Sequence, residues 1–279
     1  MIGEKNGTSV RWWCHLAGIC LCVWLPVAAS AQPLGGPRAE TIAPRTVGIL
    51  TGFRPALTFT HFDGAEFDAQ FNWEVDMSVD LDMFDLGFLR GNLFANVETT
   101  VGDELRTVDP NQNSYVIDTS VSVRLPRGEL VTTFHHVSRH LSDRANDNSV
   151  SWNMLGVGYG DRVSIGSVTL EGAVRALRNV KHTGVDYDGQ YEGFLRIARS
   201  VNENVAVIGS VDGVVVPVDE QMFGRQTRRG GRIEAGVRFL TGVTQADIFV
   251  AWEQRIDAGL GVLSTTRWTQ VGVRLTPRP

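Results

Sequence analysis

The stretch from Phe67 to Met83 reads FDAQFNWEVDMSVDLDM, and apolar residues occupy every odd-numbered position in it. The even-numbered positions are polar or acidic throughout. Successive side chains of a β-strand point to opposite sides, whereas a helix with its period of 3.6 residues would mix the two classes on each face. The stretch therefore predicts a long strand with one apolar face and one acidic face.

Alternation with a period of two continues from Thr46 towards the end of the chain, with Gly, Asp and Asn at the breaks. The breaks delimit twelve candidate strands: 46–62, 66–84, 88–101, 115–125, 129–140, 150–160, 163–177, 189–199, 205–216, 232–240, 245–256 and 266–275. Most of them have ten or more residues. Strands of soluble proteins usually have about 5–6 residues, and strands that cross a membrane need about 9–11.

The connections between these strands alternate in length. The connections after the even-numbered strands, from the second to the tenth, are short; the one after the sixth strand is Asp161–Arg162. The connections after the odd-numbered strands, from the third to the eleventh, are longer and polar. Short turns at one end and long loops at the other are typical of outer-membrane barrels. We therefore predict an all-β fold, an antiparallel transmembrane β-barrel of about twelve strands at residues 46–279, with both termini on the periplasmic side.

Charged residues share one face of several strands, and we expect that face to line the lumen. In the tenth strand Arg232 and Glu234 alternate with Ile233. In the eleventh strand we expect the apolar side, which includes Trp252 and Ile256, to face lipid. A soluble periplasmic barrel that binds a lipid would show the same alternation with its faces reversed. Strand length and the alternation of turns favour the membrane-embedded form.

The N-terminal 31 residues have the features of a signal peptide: a weakly basic start, an apolar run from Cys14 to Ala28 and the cleavage motif Ala29-Ser30-Ala31. Residues 32–45 are rich in Pro and Gly and predict a flexible periplasmic leader. All three cysteines lie before the cleavage site, so we expect neither disulfides nor thiol chemistry in the mature protein. The chain has a net charge of -5, which does not favour nucleic acid as a partner.

Potential catalytic side chains concentrate in the fifth strand, which reads TFHHVSRHLSD over residues 133–143. Residues two apart on a strand share a face, so His136, Ser138 and His140 are expected to point outwards with Phe134. Asn153 of the sixth strand, which runs back beside the fifth, is expected on the same outer wall. A histidine can take the proton of a serine hydroxyl, and an amide oxygen can hold the second ring nitrogen.

The motif H-x-S at His136-Val137-Ser138, followed by a polar loop and Ser151-Trp152-Asn153, resembles outer-membrane phospholipase A. The resemblance implies His136 as general base, Ser138 as nucleophile and Asn153 as orienting residue on the outer wall of a twelve-stranded barrel. The pattern H-x-S-x-H-L-x-D also resembles a family of uncharacterised outer-membrane proteins, and lipid A deacylases use an H-x-S pair on a barrel wall as well.

Two further assignments concern the neighbourhood of the H-x-S motif. His140 is also two residues from Ser138 and is an alternative base. The phospholipase family uses calcium, and Asp143, Asp147 and Ser149 would supply the hard oxygen ligands that Ca²⁺ prefers. A zinc site at His136 and His140 is disfavoured, because their separation on a strand is about 13 Å at about 3.3 Å per residue.

The sequence thus favours an outer-membrane acyl hydrolase that acts on a membrane lipid, either phospholipid or lipid A. The alternative is a non-catalytic barrel that serves as a narrow pore or a structural scaffold. The lumen of a twelve-stranded barrel is narrow once charged side chains fill it. The oligomeric state stays open, and a homodimer is one candidate.

Overall fold

The computed structural model describes residues 46–64, 71–142, 150–260 and 263–278. They form one closed antiparallel barrel in which every strand pairs with its neighbours in sequence and the first pairs with the last. The twelve strands are β1 Gly48–Asp63, β2 Trp73–Asp85, β3 Leu89–Gly102, β4 Asp109–Arg124, β5 Glu129–Leu141, β6 Val150–Ile165, β7 Val168–Thr183, β8 Gly189–Ser200, β9 Val205–Val216, β10 Arg228–Thr241, β11 Thr244–Ile256 and β12 Thr265–Pro277. A four-residue helix, α1, spans Glu220–Phe223 between β9 and β10. No helix within the described ranges is long and apolar enough to cross a membrane.

The predicted strands correspond one to one with the observed strands, and the fold class is confirmed. The predicted turn at Asp161–Arg162 is wrong, because β6 continues to Ile165 and the chain reverses at Gly166 and Ser167. Gly166 has a φ of 60°, which suits the first central position of a two-residue hairpin turn. Residues 1–45, where the signal peptide and leader are predicted, lie outside the described residues.

The outer wall of the barrel is apolar and the inner wall carries the charge. Ile233 and Val250 are about half exposed, whereas Arg232, Glu234 and Glu253 are buried in the lumen. A soluble barrel would have the opposite arrangement, so the soluble lipid-binding alternative is wrong. The predicted position of Ile256 on the lipid-facing side is also wrong. Its side chain is 5% exposed and belongs to an apolar cluster inside the lumen.

Ion pairs fill the periplasmic half of the lumen. Arg90 bridges Asp82 of β2 and Glu129 of β5, with N–O distances of 3.2 Å and 2.9 Å. Arg124 likewise bridges Asp85 and Glu129. Guanidinium groups pair with carboxylates in a fixed fork geometry, which suits buried ion pairs. These contacts explain how so many charged residues are accommodated inside a membrane protein.

The extracellular half of the lumen contains an apolar cluster beside its own ion pairs. It includes side chains from strands and from the loops above them: Phe94, Val116, Val137, Trp152, Met154, Leu177, Val185, Tyr187, Val214, Val216, Val218 and Ile256. Trp152 and Tyr187 are at most 1% exposed, and their ring centroids lie 5.1 Å apart. Large side chains therefore occupy the lumen at this level.

Three extracellular loops are joined above this cluster. Arg225, from the loop after α1, pairs with Asp186 in the β7–β8 loop and with Asp257 in the β11–β12 loop. Tyr187 donates its hydroxyl hydrogen to Asp257 Oδ2 at 2.7 Å. Burial and the nearby Asp257 carboxylate raise the pKa of the Tyr187 phenol, and the two carboxylates raise the pKa of the Arg225 guanidinium. The loops are therefore held to one another across the mouth of the barrel.

Candidate active site on the outer wall

The outer face of β5 presents a polar segment within an otherwise apolar wall. Leu130, Thr132, Phe134, His136, Ser138 and His140 share this face, as predicted. His135 and Val137, on the other face, have no exposed surface. The hydroxyl and imidazole groups therefore lie where lipid, rather than the lumen, surrounds the barrel.

His136 and Asn153 lie directly opposite each other in the β5–β6 ladder. The imidazole Nδ1 is 2.9 Å from Oδ1 of the Asn153 amide. The amide nitrogen Nδ2 of Asn153 donates to the main-chain carbonyl of Lys181, on β7, at 3.3 Å. Because Nδ2 faces an acceptor, Oδ1 must face the imidazole.

This contact determines the tautomer of the neutral imidazole. An amide oxygen can only accept a hydrogen bond, so the proton of His136 is on Nδ1 and the lone pair is on Nε2. A histidine whose Nδ1–H is held in this way can accept a proton at Nε2. The predicted pairing of His136 with Asn153 is present, and the geometry is that of a positioned general base.

Ser138 shares the outer face with His136 but does not contact it. It is half-buried, it lies opposite Ser151 of β6 and Tyr115 of β4, and among the described residues its hydroxyl has no hydrogen bond to His136. Side chains two residues apart on a strand are about 6.6 Å apart at the backbone. A proton could therefore pass between Ser138 and His136 only after the two side chains turn towards each other.

His140, the alternative base, lies on the same face beyond Ser138. Its ring packs edge-on against Tyr115, with 5.9 Å between the ring centroids. Among the described residues it has no carboxylate or amide partner of the kind that Asn153 provides to His136. The geometry therefore favours His136 as the base.

Two cations that the sequence analysis did not single out lie beside this group. Lys181 is directly opposite Asn153 in the β6–β7 ladder, and Arg178 is opposite Leu155. Both are exposed, and neither side chain has an ion pair within the described part of the chain. The period-two pattern of β7 could have placed Arg178 on the outer wall, because it follows Val174 and Ala176 on alternate, exposed positions.

A buried network lies behind the outer site, on the lumen side of the same strand. His135 Nδ1 is 2.5 Å from Asp118 Oδ1, and Asp118 also accepts from Arg175 at 2.8 Å. Arg175 pairs in turn with both carboxylate oxygens of Glu192. These bonds join β4, β5, β7 and β8, and so fix the backbone that carries His136 and Ser138.

The proposed calcium ligands Asp143, Asp147 and Ser149 lie outside the described residues. Their assignment stays a prediction from the sequence.

Structural comparison shows which folds the barrel resembles. It is similar to outer membrane phospholipase A from Escherichia coli, with a TM-score of 0.51 and 14% identity over 86% of this chain and 94% of the other. The Salmonella typhi outer membrane phospholipase dimer with bound calcium gives a TM-score of 0.50 and 12% identity over the same shares. A KdgM porin gives 0.45 and 8%, over 79% of this chain and 97% of the other.

The protein is a bacterial outer-membrane β-barrel. Its closed sheet, its apolar outer wall and its likeness to outer-membrane barrels agree on this point. No family model matches the chain, and no curated protein matches its sequence. At these identities the likeness to solved structures shows the fold alone.

Proposed function

We propose that this outer-membrane barrel is a serine-dependent acyl hydrolase that cleaves ester bonds of membrane lipids. The observation that carries the proposal is the His136–Asn153 hydrogen bond, because it holds a base in the correct tautomer on a lipid-facing wall. Ser138 is the nucleophile, one side chain along the same face. A site on the outer wall reaches an acyl ester without moving the lipid into water.

The reaction follows from these positions. Ser138 Oγ attacks the ester carbonyl while Nε2 of His136 takes the hydroxyl proton, and Asn153 stabilises the imidazolium through its Nδ1–H. The tetrahedral intermediate expels the lipid alkoxide, which receives the proton from His136. Water then attacks the acyl-serine by the same route and releases a fatty acid.

The missing Ser138–His136 contact is consistent with this scheme. Hydrogen bonds between catalytic groups are often long or misaligned in the absence of substrate and tighten in the complex. Ser138 is half-buried on an open wall, so a change of its rotamer needs no change in the backbone.

The charge around the site suggests the class of lipid. Arg178 and Lys181 lie on the side of Asn153 away from Ser138, and their exposed cationic groups suit a phosphate. Glycerophospholipids and lipid A both carry phosphate near an acyl ester. We therefore propose an anionic phospholipid or lipid A as substrate, with the two distinguished by assay.

The filled lumen supports a hydrolase over the alternative of a pore. Trp152, Tyr187 and Val216 are at most 1% exposed and occupy its extracellular half. If the barrel hydrolyses no lipid, the remaining function is that of a structural scaffold.

The decisive experiment compares the purified barrel in detergent with two serine variants. Wild type should release fatty acid from phospholipid or lipid A, and Ser138→Ala should lose that activity while keeping the folded barrel. Ser151→Ala is the matched control, because Ser151 is also half-buried and lies directly opposite Ser138. Chelator should lower activity if the predicted calcium site is correct. Equal activity of Ser138→Ala and wild type would refute the proposal.

A further inference from the structure

Four carboxylates meet in the extracellular half of the lumen, away from the outer-wall site. Glu74 and Asp76 of β2, Glu98 of β3 and Glu253 of β11 are each at most 6% exposed. Asp76 and Glu98 lie directly opposite each other in the β2–β3 ladder. The group brings four formal negative charges into one buried region.

A single guanidinium group makes the contacts that balance this charge. Arg255 lies 2.5 Å from Glu74, 3.1 Å from Glu98 and 2.7 Å from Glu253. Asp76 has no ion pair within the described part of the chain, and Nδ2 of the Asn96 amide donates to its Oδ1 at 3.3 Å.

Arg139 and Arg232 also act on the cluster electrostatically, but their close contacts are with other groups. Arg232 pairs with Glu234 at 2.8 Å, and Arg139 donates to the main-chain carbonyl of Asp257. Burying a charge without a partner is expensive. Within contact distance, the four carboxylates therefore share the one positive charge of Arg255.

Three uncharged oxygen atoms next to the cluster also lack partners. Thr60 Oγ1, Thr100 Oγ1 and Asn96 Oδ1 are buried and have no hydrogen bond within the described residues. Thr60 and Thr100 flank Glu74 in the ladder, one on each side. The amide of Asn96 is already in contact with Asp76. Buried polar groups normally have partners, so these oxygens point to a ligand that binds oxygen.

The spacing of the carboxylates suits one metal ion. One oxygen each of Glu74, Asp76 and Glu98 lies within 4.8 Å of the others. Ca²⁺ takes 6–8 oxygen ligands at about 2.3–2.6 Å, so opposite ligands are about 5 Å apart. Three carboxylates, two hydroxyls and one amide oxygen are the hard donors that this ion prefers.

We infer that Glu74, Asp76 and Glu98 bind a divalent cation of the calcium type inside the lumen, with Thr60, Thr100 and Asn96 as neighbouring oxygen donors. The ion supplies the missing positive charge and joins β1, β2 and β3 on their inner faces. The site does not depend on the proposed hydrolase, and it is separate from the ligands predicted at residues 143–149.

The test measures Ca²⁺ binding by isothermal titration calorimetry to the full mature barrel in detergent, after treatment with EDTA and removal of the chelator. All proteins carry Asp143→Asn and Asp147→Asn, so that the extracellular loop cannot contribute. The parent should bind one Ca²⁺ per chain, and Asp76→Asn should weaken that binding at least about tenfold. Ca²⁺ should raise the unfolding temperature of the parent but not that of Asp76→Asn.

Asp80→Asn is the matched control, because Asp80 is a buried lumen carboxylate of the same strand that pairs with Arg54 at 2.9 Å instead. It should bind Ca²⁺ as the parent does. If Asp76→Asn does not form a barrel, Glu98→Gln replaces it with the same expected loss. Absence of Ca²⁺ binding by the parent, or equal binding by the parent and the cluster variants, would overturn the inference.

Discussion

Asn153 determines which ring nitrogen of His136 carries the proton, because its Oδ1 accepts from Nδ1 at 2.9 Å while its own Nδ2 is held by the Lys181 carbonyl. The orientation of the imidazole is therefore set by the β5–β6 and β6–β7 ladders.

Removing the amide should slow hydrolysis without unfolding the barrel. We expect Asn153→Ala to lower kcat on the order of 10–100-fold, by analogy with the loss found when hydrogen-bond partners of metal-binding histidines are removed. Asn153→Asp should retain more activity, since a carboxylate also accepts from Nδ1. Initial rates of fatty acid release measure the effect. Unchanged kcat in Asn153→Ala would show that the contact has no part in the reaction.

His135 and His136 should respond in opposite ways to the same substitution. His136→Gln should abolish acyl release and leave stability unchanged, because the side chain lies on the outer wall. His135→Gln should cost about 1–3 kcal/mol in the free energy of unfolding, because it breaks a buried hydrogen bond to a carboxylate, and should retain hydrolysis. Urea unfolding of the barrel in lipid vesicles, alongside the hydrolysis assay, compares the two. Loss of activity in both variants to the same degree would contradict the assignment of faces.

The two outward cations should act on substrate affinity. We expect Arg178→Ala combined with Lys181→Ala to raise KM for an anionic phospholipid or lipid A by about tenfold, the loss of roughly 1.4 kcal/mol of binding. KM for a lipid with no net charge should rise much less. Arg199→Ala is the control, because Arg199 is exposed on the outward positions of β8 at the other end of the barrel. Equal changes in KM for the two lipids would contradict a role of Arg178 and Lys181 in binding the charged lipid.

The lumen should not conduct ions freely. Planar bilayers containing the wild-type barrel are expected to show no stable channel currents, because Trp152 and Tyr187 are buried in an apolar cluster inside the lumen. Truncation of both side chains to alanine should produce measurable conductance. Stable currents through the wild type would favour the pore alternative.

The buried phenol of Tyr187 should stay protonated above the ordinary tyrosine pKa of about 10. The chain has four tyrosines, and Tyr115, Tyr159 and Tyr191 are exposed. Burial raises the pKa of Tyr187, so its stabilising contribution is complete below the ordinary tyrosine pKa of about 10 and is lost as the pH rises through the higher value. The tyrosinate absorbance gained between about pH 9 and 12 should therefore be the same in wild type and Tyr187→Phe. A smaller amplitude in Tyr187→Phe than in wild type would contradict the prediction.

Much of the fold was predictable because membrane strands expose one face to lipid and the other to the lumen. The alternation from Trp73 to Met83 and the charged rows of β10 and β11 follow directly from this. Phe71 was misassigned, because it precedes β2 and packs with Phe62 and Trp268. The turn after β6 was misplaced because Gly160 and Asp161 are typical turn residues, although they here continue the ladder into Ile165. Ile256 was misassigned because the apolar cluster near the mouth makes the inner face apolar there too.

The candidate site was predictable only in part. Alternation and hairpin pairing place His136 opposite Asn153, and the structure has that contact. The rotamer of Ser138 is a local choice that no periodic pattern encodes. Lys181 escaped notice because its position depends on an irregularity in the β6–β7 ladder between Asn153 and Met154.

His136 and Asn153 belong to a single β-hairpin, residues 129–165. The β5–β6 register alone places the imidazole opposite the amide. Any barrel into which this hairpin is inserted would therefore contain both side chains. A chimera in which this hairpin replaces its counterpart in an inert barrel would thus inherit the whole pair from one contiguous exchange.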